Sequence, residues 1–444
     1  FFEGPTVERL AERLAAEGGT AQAALTPRPR PANPPLSPAQ RGLWLLNRIQ
    51  GSAATYNVPI ALRLTGRLDR AALAAAIGDV VARHESLRTL FLENADGTPY
   101  QKVLDAEEAV ISLPAMEIAE ESVAAAVTDI VAQGFDLSVE VPVRVRLFAV
   151  AEEVHVLVVV LHHIAGDGWS MAPLARDVAW AYEARIDGKA PEWEPLPVQY
   201  ADYALWQRDL LGDDSDPNSL MSRQVAYWQE QLDSLPDQLE LPFDRPRPAV
   251  ASHRGDHLVF ELDAEVHRGL VALARESGAS VFMVVQAALA TLLFRMGAGT
   301  DVPIGSPVAG RTDEALEDLV GFFVNTLVLR TDVSGDPTFR ELVERVRETD
   351  LGAFGNQDVP FEHLVEVLNP VRSMSRHPLF QVMLTFQNNA QADFRLPGLS
   401  FTGEPTGYGT AKFDLQLSVH EQQDREGSPA GLVGVFEFAT DLFD

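Results

Sequence analysis

Residues 156–170 read VLVVVLHHIAGDGWS. Residues 154–161 are nearly all aliphatic, the composition of a strand buried on both faces. His162 and His163 follow where the strand ends. Neighbouring strand residues point to opposite faces, so one imidazole faces the packed interior or a structural hydrogen bond while the other faces a cavity. Gly166 and Gly168 permit backbone conformations that other residues avoid and let a substrate come close. Ser170 then opens SMAPLARDVAWAYEARIDG as an N-cap, with Pro173 in the first turn and Gly188 past the end, a helix of about four turns. Its N-terminus offers unpaired N–H groups and a positive dipole end. Imidazole, close-approach glycine and helix N-terminus together suit acyl transfer, in which a proton acceptor stands beside an oxyanion site. Other readings remain open on the residues alone. A single histidine at a strand end is usually structural. A metal site has little support, because the two histidines diverge and neither H-E-x-x-H nor cysteine is present. A serine-hydrolase elbow would need G-x-S-x-G, which does not occur.

The chain has 444 residues, enough for two or three domains, and 46% of them are hydrophobic, as in globular proteins. Sixty-four acidic against 35 basic residues give a net charge of −29, which repels phosphate backbones and anionic lipid and also serves solubility. Nucleic acid and membrane are therefore not expected partners. The absence of cysteine excludes disulfides, thiolate nucleophiles and cysteine-ligated metals, and suits a reducing cytoplasm. The aliphatic runs are strand-sized, and the start, FFEGPTVERLAERL, lacks a secretory pattern.

GPTVERLAERLAAEGG reads as a short amphipathic helix with Val7, Leu10 and Leu14 in its apolar stripe, too short to stand alone. TPRPRPANPP, residues 26–35, favours an extended spacer of roughly 30 Å at about 3.1 Å per residue. The main body begins at LSPAQRGLWLLNRI. A helix is expected from Asp69, with Leu73, Ile77, Val80 and Val81 at helical spacing, then a strand at SLRTLFL and a half-buried strand over 142–148. The acidic loop LLGDDSDPNS looks like a lobe boundary. Beyond it come a strand at HLVFEL, a buried helix at SVFMVVQAALATLLFRM, a strand at FFVNTLVLRTDV, a helix at TFRELVERVRETDLGAF and a strand at QVMLTFQ. Mixed β and α order occurring twice predicts two α/β lobes of similar size.

HHIAGDG (162–168) matches the H-H-x-x-x-D-G motif of the condensation domains of non-ribosomal peptide synthetases, within the larger chloramphenicol-acetyltransferase-like family. SPAQRGLW (37–44), RHESLRTLF (83–91), YADYALW (200–206), VGFFVNTLVLR (320–330), NQDVPFEHL (356–364) and RSMSRHPLF (372–380) resemble further motifs of that family, the last with His377 where asparagine is usual. The resemblance runs from Leu36 to the end of the chain, and the leading helix resembles the close of a peptidyl carrier domain. It implies an α/β fold of two chloramphenicol-acetyltransferase-like lobes, a V-shaped pseudo-dimer with a central tunnel. The implied layout is a carrier helix over 1–19, a Pro-rich linker over 20–35, an N-terminal lobe over 36–207 and a C-terminal lobe over 208–444.

The activity it implies is peptide-bond formation, the α-amine of a carrier-bound acceptor attacking a carrier-bound donor thioester. The partners implied are upstream donor and downstream acceptor carrier domains and a neighbouring adenylation domain. No cofactor belongs to the domain itself, since 4′-phosphopantetheine arrives as the tether on the carriers. His163 would stand beside the reacting atoms, with Gly168 N–H as an oxyanion donor. His162, Asp167 and Arg311 would be structural, the aspartate pairing with Arg311 from the other lobe. Ser306, Trp169 and Asn325 would contact substrate. A reference amine pKa near 8 leaves a fair fraction neutral, so the imidazole either holds the amine in line or takes its proton later. An epimerisation domain shares the double histidine but usually has serine before tryptophan, whereas Trp169 precedes Ser170 here. A heterocyclisation domain would carry aspartates, a coenzyme A acyltransferase does not explain the carrier-like helix, and a non-catalytic docking module would lose the histidines. Fewer than twenty residues separate that helix from the main body, too few for an epimerisation domain, so an L or achiral donor is expected. SAATYNVP, which also occurs in domains taking D donors, points the other way.

Overall fold

The computed structural model describes residues 24–387 except Ser52, then 396–406, 409–424 and 426–444, together with Thr6 and Arg9. The helix expected over 1–19 lies, apart from those two residues, outside the described residues. In chain order the first half carries α1 (Pro38–Gln50), β1 (Asn57–Gly66), α2 (Arg70–Arg83), β2 (Thr89–Glu93), β3 (Pro99–Val103), β4 (Ala115–Glu117), α3 (Val123–Val131), β5 (Val143–Ala151), β6 (Val154–His162) and α4 (Met171–Ile186). The second carries α5 (Tyr200–Leu211), α6 (Leu220–Gln231), β7 (Gly255–Leu262), α7 (Ala264–Glu276), α8 (Val281–Arg295), β8 (Asp301–Val308), β9 (Asn325–Asp332), α9 (Phe339–Gly355), α10 (Phe361–Leu368), β10 (Val382–Gln387), β11 (Leu399–Gly403), β12 (Leu415–Gln423) and β13 (Pro429–Ala439).

β6 lies at the centre of a five-stranded sheet ordered β11-β1-β6-β5-β4, antiparallel to both neighbours. This explains its composition: Val156, Val158 and Val160 are buried on one face, Leu157 and Leu161 on the other. Burying each such side chain contributes roughly 1.5–3 kcal/mol. α2 packs beside α4 on this sheet through Leu73, Ala76, Ile77 and Val80, and Asp69 caps it by accepting from Ala72 N at 2.9 Å. The second sheet is ordered β7-β13-β12-β10-β8-β9, with α7, α8 and α9 packed against its apolar residues. α8 is apolar nearly all round because it is sandwiched, and Ser280 caps it through Met283 N.

Three expectations are corrected. The second half does not keep to its own sheet: β11 crosses over and pairs with β1, from Leu62↔Gly403 to Gly66↔Leu399. The proline-rich stretch is not a free spacer, because Arg30 finds carboxylates on the first lobe. Arg30 binds Asp202 at 2.8 and 2.9 Å and Glu85 at 2.6 Å, while Leu25 is buried among Tyr200, Tyr203 and Phe323. The strand expected from Phe322 begins only at Asn325, because residues 320–323 spend their backbone groups on the other lobe.

Candidate active site

After β6 the chain makes two 3-10 turns, His163–Ala165 and Gly168–Ser170, before α4 begins. His162 is fully buried, edge-on to Phe135 with ring centroids 6.0 Å apart, and its Nδ1 accepts from Ile164 N at 3.1 Å. His163 is half-buried and meets Phe322 edge-on at 4.9 Å. Its Nδ1 lies 3.0 Å from Gly166 O. A carbonyl can only accept, so Nδ1 carries the hydrogen and Nε2 presents its lone pair. Burial, reinforced by the positive charge of Lys412, pushes His163 down to about 3 and His162 down to about 4. Both rings are therefore neutral at physiological pH.

Asp167 is buried and both of its oxygens accept hydrogen bonds. Oδ1 takes Ser170 N and Ser170 Oγ, each at 2.9 Å, and Oδ2 takes Phe323 N at 2.9 Å. Arg311, from the loop after β8, brings Nη2 to 3.4 Å from Oδ1 and to 3.1 Å from Ser170 Oγ. Its Nη1 donates to Leu316 O and Leu319 O, and its guanidinium lies 4.4 Å from the centroid of the Phe323 ring. Ser170 does not cap α4 with its side chain; its Oγ instead lies 2.9 Å from Gly321 O and accepts from Gly321 N at 3.1 Å.

The bonds to Asp167 and Ser170 are part of a seam along residues 320–323. Val320 N donates to His84 Nδ1 at 3.4 Å and Val320 O accepts from Ser86 Oγ at 2.7 Å. Phe322 O accepts from Tyr200 OH at 2.5 Å, and Ser37 Oγ lies 2.9 Å from that hydroxyl. Four successive residues are thus tied to the first lobe, to α5 or to both. The segments quoted above for the resemblance supply His84, Ser86, Asp167 and Tyr200.

The family model for the condensation domain matches residues 32–444. The chain belongs to the condensation domain family. It is 55% identical over 443 residues to the nonribosomal peptide synthetase CymA of Salinispora arenicola, and 53% identical over 443 residues to a dimodular nonribosomal peptide synthase of Bacillus subtilis. Both matches cover 100% of the chain, which spans only 6% and 18% of those relatives' lengths. Among solved structures, the X-domain from teicoplanin biosynthesis superposes with TM-score 0.88 at 41% identity, over 95% of this chain and 93% of that one. The first condensation domain of the calcium-dependent antibiotic synthetase, at 22% identity and TM-score 0.74 over 93% of each chain, shares the fold. The fold is that of the chloramphenicol-acetyltransferase-like family.

Within this condensation domain the remaining site expectations fall out unequally. Gly168 is exposed at the start of the second turn, where its N–H has no partner within the turn, and Trp169 beside it is half-buried. Asn325 is corrected: Nδ2 donates to Gln357 O and Val359 O at 2.8 and 2.7 Å, and Oδ1 accepts from Thr326 N and Phe361 N. Its amide holds the 356–361 loop and has nothing left for a substrate. Ser306 is corrected too, being buried on β8 on the same face as Val302 and Ile304, the side covered by α8. His377 stacks against Phe361, Phe380 and Phe413, away from the motif. The sequence reading missed Lys412, whose Nζ lies 5.2 Å from the Tyr56 ring, because a lone lysine before a strand gives no local signal. Among the described residues no group of His, Asp and Glu is arranged to hold a metal ion, and no single helix is long and apolar enough to cross a membrane.

Proposed function

We propose that this domain forms peptide bonds between two carrier-bound thioesters, the neutral α-amine of the acceptor attacking the carbonyl of the donor. The C–N bond forms, the C–S bond breaks, and the proton lost by nitrogen ends on the departing thiolate of the donor tether. The observation that carries this reading is His163: neutral, half-exposed, with Nδ1 fixed by Gly166 O and Nε2 free to accept. An imidazole held so low is too weak a base to keep the amine's proton at neutral pH. Its role is to accept one N–H and aim the nitrogen lone pair at the carbonyl, and such alignment is worth up to about 10⁵–10⁸ M in effective concentration. Asp167 and Arg311 hold the turn that follows the one carrying His163, and Gly168 N–H offers the carbonyl oxygen a donor from that second turn.

The short spacing between the carrier-like helix and the body supports an L or achiral donor residue. Intact-protein mass spectrometry with loaded donor and acceptor carriers tests the reaction directly, and matched L- and D-terminated donors test the stereochemistry. Transfer of the donor mass is expected, faster from the L form. A docking role is the second reading, favoured by the 40% identity to an X-domain whose structure was determined in complex with OxyB. No transfer by the wild-type domain with either donor would select that reading.

A further inference from the structure

Tyr56 ends the 3-10 turn Ala54–Tyr56 immediately before β1. Asn57 pairs with His162, so Tyr56 and His163 are the residues next to that pair, each in a 3-10 turn. Lys412 reaches this point from the other sheet, three residues ahead of β12, with Nζ 5.2 Å from the Tyr56 ring centroid. Among the described residues it makes no hydrogen bond and has no carboxylate at ion-pair distance. Burial draws its pKa below the ordinary lysine value, and the charge of Glu437, on β13 opposite Gln416, works the other way. A lysine kept for structure would direct its three N–H donors to carbonyls or carboxylates, because an enclosed ammonium without acceptors is costly. This one directs them to no protein acceptor among the described residues, and its charge is felt by both histidine rings.

We propose that Lys412 is a catalytic residue, its ammonium contacting the donor carbonyl oxygen and stabilising the negative charge that develops there. The inference rests on the reading of the site as the seat of peptide-bond formation. As the C–N bond forms, the carbonyl π pair moves onto oxygen, between Gly168 N–H from the first lobe and Lys412 Nζ from the second. When the C–S bond breaks, that pair returns and the thiolate takes the proton from nitrogen. Because the two donors come from opposite lobes, the oxygen is held only when the seam is closed.

The test is single-turnover transfer between loaded carriers by the wild-type domain, Lys412→Met and Lys412→Arg, with unfolding midpoints measured alongside. Lys412→Met is expected to slow transfer at saturating carriers by about 10²–10³-fold, the loss typical of one oxyanion donor. The half-saturating acceptor concentration should not move, the unfolding midpoint should not fall, and Lys412→Arg should recover most of the rate. Transfer by Lys412→Met within about threefold of an active wild type overturns the inference and leaves the proposed function standing. Equal losses in both variants also overturn it, since retained charge would then not matter. An inactive wild-type domain removes the proposed function, and the inference falls with it.

Discussion

Replacing Asp167 by alanine removes the acceptor for Ser170 N, Ser170 Oγ, Phe323 N and Arg311 Nη2 at once. The guanidinium left behind has only 7% of its side chain exposed, so water cannot take over from the lost carboxylate. Breaking a buried pair in this way costs about 3–5 kcal/mol. Here the ion-pair distance is long and Nη2 is shared with Ser170 Oγ, which places the charge component towards the lower end. The orphaned Phe323 N–H adds about 1–3 kcal/mol. The expected total, roughly 4–6 kcal/mol, is a large share of the 5–15 kcal/mol by which domains of this kind are folded. Asp167→Asn keeps one acceptor oxygen and should lose about half as much. Urea unfolding of the wild type, Asp167→Ala, Arg311→Met and the double variant closes the cycle. Since Arg311→Met removes the charge that Asp167→Ala would strand, a coupling energy of at least about 1.5 kcal/mol is expected. A coupling under about 0.5 kcal/mol would refute the reasoning, because the two residues would then act independently.

His163→Ala is expected to slow carrier-to-carrier transfer by about 10²-fold or more with little change in unfolding midpoint, whereas His162→Ala, which empties space against Phe135, should lower the midpoint; near-full turnover by His163→Ala would contradict the assigned role. Asp350, buried on α9 with neither oxygen hydrogen-bonded, is pushed up to about 8 by burial. Between the ordinary carboxyl value of 3.8 and about 8 the native state holds a proton that the unfolded chain has released, so its contribution costs stability as pH rises through that window. Asp350→Asn should stabilise the protein by roughly 2–4 kcal/mol at pH 7 and by little at pH 4; equal effects in urea titrations at the two pH values would count against this. Gly310→Ala should destabilise severely, since φ is +64° and the new Cβ would lie 1.9 Å from Phe323 O. An unchanged midpoint in thermal unfolding would show that the turn before Arg311 can move.

What could be read from the sequence was local. The all-aliphatic β6 is a doubly covered central strand, the paired histidines diverge as strand alternation requires, and α2 and α8 follow their apolar spacing. What could not be read was set by partners far away in sequence. FFVN looked like strand until the Phe323 amide was needed by Asp167, and Ser170 looked like a helix cap until its hydroxyl was needed at the seam. Asn325 looked exposed and functional, yet its amide closes a loop more than thirty residues on. β1 carries Pro59 and Arg63 among its apolar residues and gave a weak signal, and β11 is short and largely exposed.

The crossing of β11 has a consequence for synthesis on the ribosome. β1 is finished at Gly66, but the strand that covers its outer edge begins at Leu399, more than 330 residues later. At about 5–20 residues per second, that edge stays unpaired for roughly 15–70 s, long enough for neighbouring nascent chains to add to it. Arg63 stands within the waiting stretch, where a charge discourages edge-to-edge pairing. In the finished protein the same arginine is held by Glu404, just past β11, and by Glu120. The residue that guards the open edge during translation becomes one that fastens the last strand when it arrives.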